Sequence, residues 1–172
     1  MEKLEAAVTP RTRAIFVNSP SNPTGWSADR ETLSAILDLA RRHNLWIIAD
    51  EIYALFHFGG GRAASFMDIM DPEDRILFVN TFSKNWGMTG WRIGWLIAPP
   101  AFAKAADNLQ SQETSNANSI AQWASIEALT GPQESVEQMR AAFAERRDVL
   151  VPALNEIPGV KCANPGGAFY VF

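Results

Sequence analysis

The alternation of short apolar runs with longer amphipathic stretches constrains the fold of this 172-residue chain most strongly. Four runs of four to six residues are apolar and rich in β-branched and aromatic side chains, and turn or helix patterns separate them. Strands that alternate with helices build a mainly parallel α/β sheet, so at least four strands are predicted to share one sheet. Runs this apolar are expected to be buried on both faces. The four predicted strands are Ala14–Val17, Leu45–Ala49, Ile76–Asn80 and Ile93–Ala98.

The first predicted strand leads into a turn and then a helix. The segment Asn18–Gly25 contains two prolines and a glycine, which exclude a helix there. Ser27 is predicted to cap the following helix, with Asp29 and Glu31 in its first turn. The result is a strand–loop–helix unit whose helix has an apolar face made of Leu33, Ile36, Leu37 and Ala40.

The second half of the chain is mainly helical. Helices are predicted at Ala101–Gln112, at Ser119–Leu129 and, after a Thr-Gly-Pro stop signal, at Gln133–Asn155. Short extended segments follow the last helix and end in Ala168–Phe172, and these are predicted to be strands. Because a sheet precedes the long helix and a new β segment follows it, a domain boundary is predicted within that helix.

Composition excludes several classes of protein. With 47% hydrophobic and 20% charged residues the chain is expected to bury a core, and no run approaches the roughly 18 apolar residues of a membrane-spanning helix. The net charge of -4 lacks the basic excess of a nucleic-acid-binding protein, so no nucleic-acid partner is expected. The first residues lack the apolar segment of a secretory signal and Cys162 is the single cysteine, so a cytoplasmic location is predicted.

Polar residues follow the predicted strands at the edge of the sheet where ligands bind in open α/β folds. Taken singly, each has a structural explanation: an asparagine forms turns, an aspartate caps them, and a lysine is commonly a solvated surface charge. An arginine between two apolar residues needs a partner or a path to solvent. Seven residues of this kind come directly after the first three strands or directly before the fourth: Asn22, Asp50, Tyr53, Thr81, Ser83, Lys84 and Arg92.

Other candidates carry weaker signals. Gly59–Gly61 looks like a phosphate-binding loop, but no strong helix start follows it, so a connecting loop is predicted. His43 and His57 lack the spacing of metal ligands, and no metal site is predicted. Cys162 is predicted to fill a small space in the core.

Three segments in combination resemble the class I/II aminotransferases, the pyridoxal-phosphate family that includes aspartate aminotransferase. These segments are Asn18–Gly25, Asp50–Tyr53 and Thr81–Gly94. The resemblance continues through Ser119–Leu129 and Pro165–Tyr170, so it covers essentially the whole chain.

The resemblance implies fold type I, in which this chain supplies part of the mainly parallel-sheet large domain and the start of a small α/β domain. Residues 1–131 would form the second half of the cofactor-binding large domain. Residues 132–157 would form the long inter-domain helix, and residues 158–172 the first strands of the small domain.

The resemblance also implies a role for each polar residue at the strand ends. Lys84 matches the lysine that forms a Schiff base with pyridoxal 5'-phosphate and then moves the proton of the substrate α-carbon. Asp50 matches the carboxylate that pairs with the pyridine nitrogen, and Asn22 and Tyr53 match the donors to the phenolic oxygen. Arg92 matches the arginine that holds the phosphate with its planar fork.

Three further assignments follow from the same resemblance. Thr81 stands where the family usually has serine or glycine and retains a hydroxyl for the phosphate. Ser83 is a less clear cofactor ligand beside the lysine. Asn22 is also assigned to the substrate side of the site.

Family members are longer than this chain, which is therefore expected to be an internal fragment. The Gly-rich phosphate loop, the aromatic ring stacked on the cofactor and the arginine for the substrate α-carboxylate are not found in it. No arginine occurs between Arg92 and Arg140, a region where dicarboxylate-specific members contribute one from the partner subunit. This argues against, without excluding, aspartate or glutamate as the preferred amino donor.

The implied function is transfer of an amino group from an L-amino acid to a 2-oxo acid, by an enzyme that is a homodimer when complete. Two alternatives stay open. A lyase or decarboxylase would use the same fold and cofactor, because the electron sink does not choose which bond of the α-carbon breaks. The sensor domain of a transcription regulator would bind the cofactor without catalysis, and a winged helix-turn-helix upstream would mark it.

Overall fold

The computed structural model describes residues 1–172 and contains one four-stranded sheet. The strands lie in the order β1-β2-β3-β4; the first three run parallel and β4 runs antiparallel to β3. The prediction of four strands in one mainly parallel α/β sheet is confirmed. The strands are β1 (Ala14–Asn18), β2 (Trp46–Asp50), β3 (Ile76–Thr81) and β4 (Gly94–Ile97).

Six α-helices and two 3-10 turns complete the fold. The three helices predicted after Pro100 are confirmed, each within one residue of its predicted bounds. None of the helices has both the length and the apolar character needed to cross a bilayer. The helices are α1 (Glu2–Ala6), α2 (Arg30–His43), α3 (Phe82–Asn85), α4 (Pro100–Glu113), α5 (Ser119–Thr130) and α6 (Glu134–Asn155), and the 3-10 turns are Phe66–Asp68 and Thr89–Trp91.

Helix α2 begins two residues later than predicted, because Asp29 caps it and Ser27 does not. The Asp29 carboxylate accepts a hydrogen bond from the Thr32 amide at 2.8 Å, which satisfies a free N–H of the first turn. Ser27 stays in the preceding turn, where the Trp26 carbonyl accepts from the Ser21 amide and the Ala28 amide donates to the Ser19 hydroxyl.

One face of the sheet carries the main core. Helix α2 packs its predicted apolar side chains against the inward-facing residues of the strands, and together they form a buried cluster of 14 residues. Full burial of a large aliphatic or aromatic side chain contributes about 1.5–3 kcal/mol, so this layer dominates the stability of the sheet. The strand residues in the cluster are Ile15, Val17, Ile47, Ala49, Ile76 and Phe78.

The other face of the sheet is largely open, and the prediction that all four strands are buried on both faces is wrong. Phe16 is 63% exposed, Val79 is 38% exposed, and Leu96, paired with Val79 across the sheet, is 37% exposed. Successive side chains of a strand point to opposite faces, and α2 covers only one of them. Apolar strand composition indicates that a face needs cover but does not say which part of a protein supplies it.

Residues 158–172 contain no strand, unlike the prediction, and form only an isolated bridge between His57 and Gly167. The segment instead bonds to two loops. The Phe58 amide donates to the Gly166 carbonyl and the Ala168 amide to the Phe56 carbonyl, while the Gly25 carbonyl accepts from Gly166 and Gly167. A strand forms only beside another extended segment, and the segments that bond to residues 158–172 are turns. Helix α6 matches the predicted inter-domain helix, whereas the division into domains stays a prediction.

Candidate active site

The seven polar residues singled out from the sequence lie at or just beyond one edge of the sheet. The register places Asn18 beside Asp50, Asp50 beside Val79, and Thr81 beside Gly94. Because β4 is antiparallel, its beginning lies next to the end of β3. Arg92, which precedes β4, therefore lies at the same edge as the residues that follow β1, β2 and β3.

Asn18 links the first loop to the end of β2. Its side-chain oxygen accepts a hydrogen bond from the Asn22 amide at 2.7 Å, and its side-chain nitrogen donates to the Asp50 carbonyl at 3.3 Å. Asn18 is not among the seven residues predicted from the sequence, although it begins one of the characteristic segments. Its position at a strand end was the signal that could have identified it.

Asp50 is a half-buried carboxylate without an ion-pair partner. Its Oδ1 accepts a hydrogen bond from the Ile52 amide at 3.3 Å. Burial raises the pKa of Asp50, and the hydrogen bond from the Ile52 amide opposes that shift. A partly desolvated carboxylate with few partners is well suited to pair with a protonated ring nitrogen.

Tyr53 is completely buried, and its hydroxyl lies 2.8 Å from the hydroxyl of Tyr170. Burial raises the pKa of Tyr53, the Asp50 charge also raises it, and the Asn22 side chain lowers it. Tyr53 therefore stays protonated near neutral pH and is able to donate a hydrogen bond. Because the Asn22 and Asp50 side chains both act on the pKa of Tyr53, these three residues lie close together.

Thr81 and Ser83 form a hydroxyl pair where β3 ends and α3 begins. Thr81 Oγ1 accepts from the Ser83 amide at 3.1 Å and lies 3.0 Å from Ser83 Oγ. It also lies 3.0 Å from the Ile93 carbonyl, which accepts from the Phe82 amide as well. A Cβ on Gly94 would lie 2.5 Å from the Asn80 carbonyl oxygen, so this close approach of β4 to β3 requires glycine.

Lys84 presents an amine that no acidic group in the chain neutralises. Its Nζ forms no ion pair and lies 6.0 Å from the centre of the Phe169 ring. Phe169 packs edge-to-face on Tyr53 with ring centres 5.2 Å apart. The Phe169 ring therefore lies between the Lys84 amine and Tyr53. Because no acid pairs with the amine, it is available to a carbonyl group.

Arg92 is exposed and lies in a left-handed backbone conformation with φ of 52°. Its Nη1 donates to the Thr89 carbonyl at 3.0 Å, and no carboxylate forms an ion pair with it. Arg92 forms no hydrogen bond or ion pair with the other predicted residues, and the backbone of the adjacent Ile93 accepts a hydrogen bond from Thr81. Its remaining guanidinium donors face no competing acid and are available to an anion.

The weaker candidates play no part at this edge. Gly60 and Gly61 have positive φ and face open space, and the following Arg62 pairs with Asp68, as expected of a connecting loop. No group of three or more His, Cys, Asp or Glu side chains converges as metal ligands would. A cavity of about 570 Å³ beside His43 lies at the opposite edge of the sheet, and none of the seven residues lines it.

An unpaired lysine, a half-buried carboxylate and an exposed arginine thus lie at one edge of the sheet. Residues 1–172 match the family model described as aminotransferase class I and II. The chain belongs to the class I and II aminotransferase family.

Relatives and solved structures support this membership. Aspartate aminotransferase of Geobacillus stearothermophilus is 45% identical over 99% of this chain and 44% of its own length. Aspartate/prephenate aminotransferase of Cereibacter sphaeroides is 47% identical over 99% of this chain and 43% of its own length. The crystal structure of aspartate aminotransferase from Rhizobium meliloti superposes with a TM-score of 0.93 at 42% identity, over 99% of this chain and 43% of that one. The chain thus spans less than half the length of these aminotransferases.

Class I and II aminotransferases generally depend on pyridoxal phosphate, and the groups at this edge are chemically complementary to it. Lys84 offers an unpaired amine to an aldehyde, and Asp50 offers a half-buried carboxylate to a ring nitrogen. Tyr53 offers a protonated phenol to an anionic oxygen, and Arg92 a guanidinium to a phosphate. The residues present fit the cofactor.

Proposed function

We propose that the protein containing this chain transfers an amino group from an L-amino acid to a 2-oxo acid with the aid of pyridoxal 5'-phosphate. The observation that carries this proposal is the Lys84 amine, unpaired and joined through Phe169 to the Tyr53 and Asp50 end of the sheet. A lysine at that place is the nucleophile and proton carrier that the reaction needs.

When bound, the cofactor supplies an electron sink for the bonds of the amino acid α-carbon. Lys84 would hold the aldehyde carbon and, once released by the substrate, move the proton of the α-carbon. Asp50 would keep a proton on the ring nitrogen, and Tyr53 and Asn22 would donate to the phenolic oxygen. Asn22 would also face the substrate.

The phosphate would be held mainly by Arg92, whose guanidinium has no acidic partner in the chain. The Thr81 hydroxyl is the second proposed contact, and Ser83, bonded to it, is the third. An arginine fork combined with hydroxyl donors is a common arrangement for phosphate recognition.

The names of the two relatives described above favour transfer over elimination, since both are called aminotransferases. We further propose that the complete enzyme is a homodimer in the cytoplasm. Exposed apolar side chains along α5, which mark a surface for another protein segment or subunit, support an assembly. The single, buried Cys162 suits a reducing compartment. The exposed residues of α5 are Ile120, Trp123, Ile126 and Leu129.

The test is substitution of the lysine in the full-length protein. Lys84→Ala is expected to abolish the visible absorbance of the lysine-bound cofactor and to lower the rate of amino transfer by on the order of 10⁴-fold, since proton transfer alone contributes about 10²–10⁴. Lys104→Ala, an exposed lysine of α4, is the matched control and should change neither readout. Keto-acid formation is measured with and without a 2-oxo-acid acceptor. An unchanged spectrum in Lys84→Ala, or release of more than one equivalent of keto acid per site without an acceptor, would refute the proposal.

A further inference from the structure

Tyr170, which is not among the residues predicted from the sequence, shares a hydrogen bond with Tyr53 through its hydroxyl. The two hydroxyl oxygens are 2.8 Å apart, and the rings meet edge-to-face with centres 5.8 Å apart. The residues are 117 positions apart in the sequence, so only the tertiary fold creates this contact. Tyr53 is completely buried, which makes the partner of its hydroxyl energetically important.

The backbone before Tyr170 is held rigidly in place. Ala168 is fully buried, has a φ of 59° that non-glycine residues rarely adopt, and donates its amide to the Phe56 carbonyl at 2.9 Å. A Cβ on Gly167 would lie 2.7 Å from both the Phe56 carbonyl oxygen and Pro20 Cβ, so the segment packs directly against two loops of the site. A strained and closely packed backbone that ends in a site residue is a sign of a constraint imposed by function.

The hydrogen-bonding capacity of one phenol limits what Tyr53 does. A hydroxyl has one proton to donate and two lone pairs to accept. If Tyr53 gave its proton to Tyr170, it would have no proton left to donate to a third group, such as an oxygen of a bound cofactor. If Tyr170 donates, a lone pair of Tyr53 is occupied and the Tyr53 proton stays free.

We propose that Tyr170 is a positioning residue that donates its proton to the Tyr53 hydroxyl, so that Tyr53 keeps its own proton for the phenolic oxygen of the cofactor. The proposal rests on the proposed function for the identity of that third group. The hydrogen bond between the two tyrosines and the packing of the backbone before Tyr170 do not depend on the proposed function.

The charged and titratable groups around the pair come from three parts of the chain. Asp50 approaches Tyr53 from the end of β2, and Lys84 approaches from α3 across the Phe169 ring. From α6, Phe143 stacks on Phe169, and the guanidinium of Arg146 lies over Phe143. Tyr170→Phe leaves all of these groups in place and removes only one hydroxyl.

The first measurement is the pH dependence of the visible absorbance of pyridoxal phosphate bound to the full-length protein. Tyr53→Phe removes the donor to the phenolic oxygen and should raise the midpoint pH. Tyr170→Phe should raise it by on the order of 0.5–1 pH unit, the effect of one hydrogen bond. The double variant should shift no further than Tyr53→Phe alone, because Tyr170 acts only through Tyr53. Phe172→Leu, a 78% exposed position in the same segment, is the control and should not shift it.

The second measurement uses cofactor-free protein labelled at tyrosine Cζ. The Tyr170→Phe variant should move the Tyr53 resonance in the NMR spectrum, and Phe172→Leu should not. An unmoved Tyr53 resonance, an unchanged midpoint in Tyr170→Phe, or additive shifts in the double variant would overturn the proposal. A protein that fails the Lys84→Ala test yet shows the NMR shift would refute the aminotransferase function and retain the tyrosine hydrogen bond.

Discussion

At the scale of single residues, Gly25 is required for two independent reasons. Its φ of 66° is strained for any residue with a side chain, and a Cβ there would lie 2.1 Å from Pro165 Cβ. Its carbonyl also accepts from the Gly166 and Gly167 amides, which fix the segment that carries Tyr170. The turn after β1 and the C-terminal segment therefore depend on each other.

We predict that Gly25→Ala lowers the free energy of unfolding by about 2–4 kcal/mol, the sum of backbone strain and steric overlap. Gly61→Ala is the matched control, since Gly61 has a nearly equal φ of 64° and nothing within 4 Å of the added Cβ. It should cost about 1 kcal/mol, the strain alone. Urea unfolding of both variants measures the two losses, and equal losses would contradict the predicted clash with Pro165.

At the scale of secondary structure elements, α2 is fixed at its C-terminal end to the turn before β3. The Arg41 guanidinium bonds both oxygens of Asp74, at 2.8 and 2.7 Å, and reaches Asp71 at 2.8 Å. Asp74 is 9% exposed, whereas Asp71 is 76% exposed, so the Asp74 pair is the better shielded from water. The hydrogen bond from Arg41 holds the pKa of Asp74 below its ordinary value.

We predict that Asp74→Asn lowers the free energy of unfolding by about 1 kcal/mol at pH 7. Because the pKa of Asp74 is lowered in the folded state, the stabilisation is present above the ordinary pKa of 3.8 and is lost as the pH falls through the folded-state pKa. Urea unfolding of wild type and variant at pH 7 and near pH 2 should show the difference shrinking in acid.

The control for this prediction is Asp71→Asn, which should have a smaller effect at either pH because its carboxylate is in water. A wild-type advantage over Asp74→Asn that is the same at both pH values would show that the ionised pair is not its source.

At the scale of the whole molecule, apolar surface is distributed over the open face of the sheet and over α5. Phe16 and Trp123 are 63% and 73% exposed, far more than a core residue of a sheet or an amphipathic helix. The chain also spans less than half the length of its relatives. The exposed apolar surface is therefore available for contact with further protein.

We predict that the isolated 172-residue chain binds pyridoxal phosphate weakly and transfers amino groups at a negligible rate. Lys84 and Arg92 lie at an open edge, and the phosphate has only the exposed Arg92 and the two hydroxyls as proposed contacts. Cofactor titration followed by visible absorbance, with the full-length protein as reference, measures the difference. Robust transamination by the purified chain would show that the site is sufficient as it stands.

Local pattern was enough to locate the strands, the helices after Pro100 and the polar residues at the strand ends, because burial periodicity and turn chemistry act over a few neighbours. The same information predicted Ser27 as the cap of α2, whereas the structure has Asp29. Serine and aspartate cap helices about equally well, so local sequence does not distinguish them.

Tertiary structure alone decided the antiparallel direction of β4, the open face of the sheet and the absence of strands after Pro158. It also decided the hydrogen bond between Tyr53 and Tyr170 and the left-handed backbone of Ala168. These features depend on contacts between residues far apart in the chain, whose energies no local window contains. The sequence by itself therefore determined which chemical groups gather at the sheet edge, and the fold determined which of them touch.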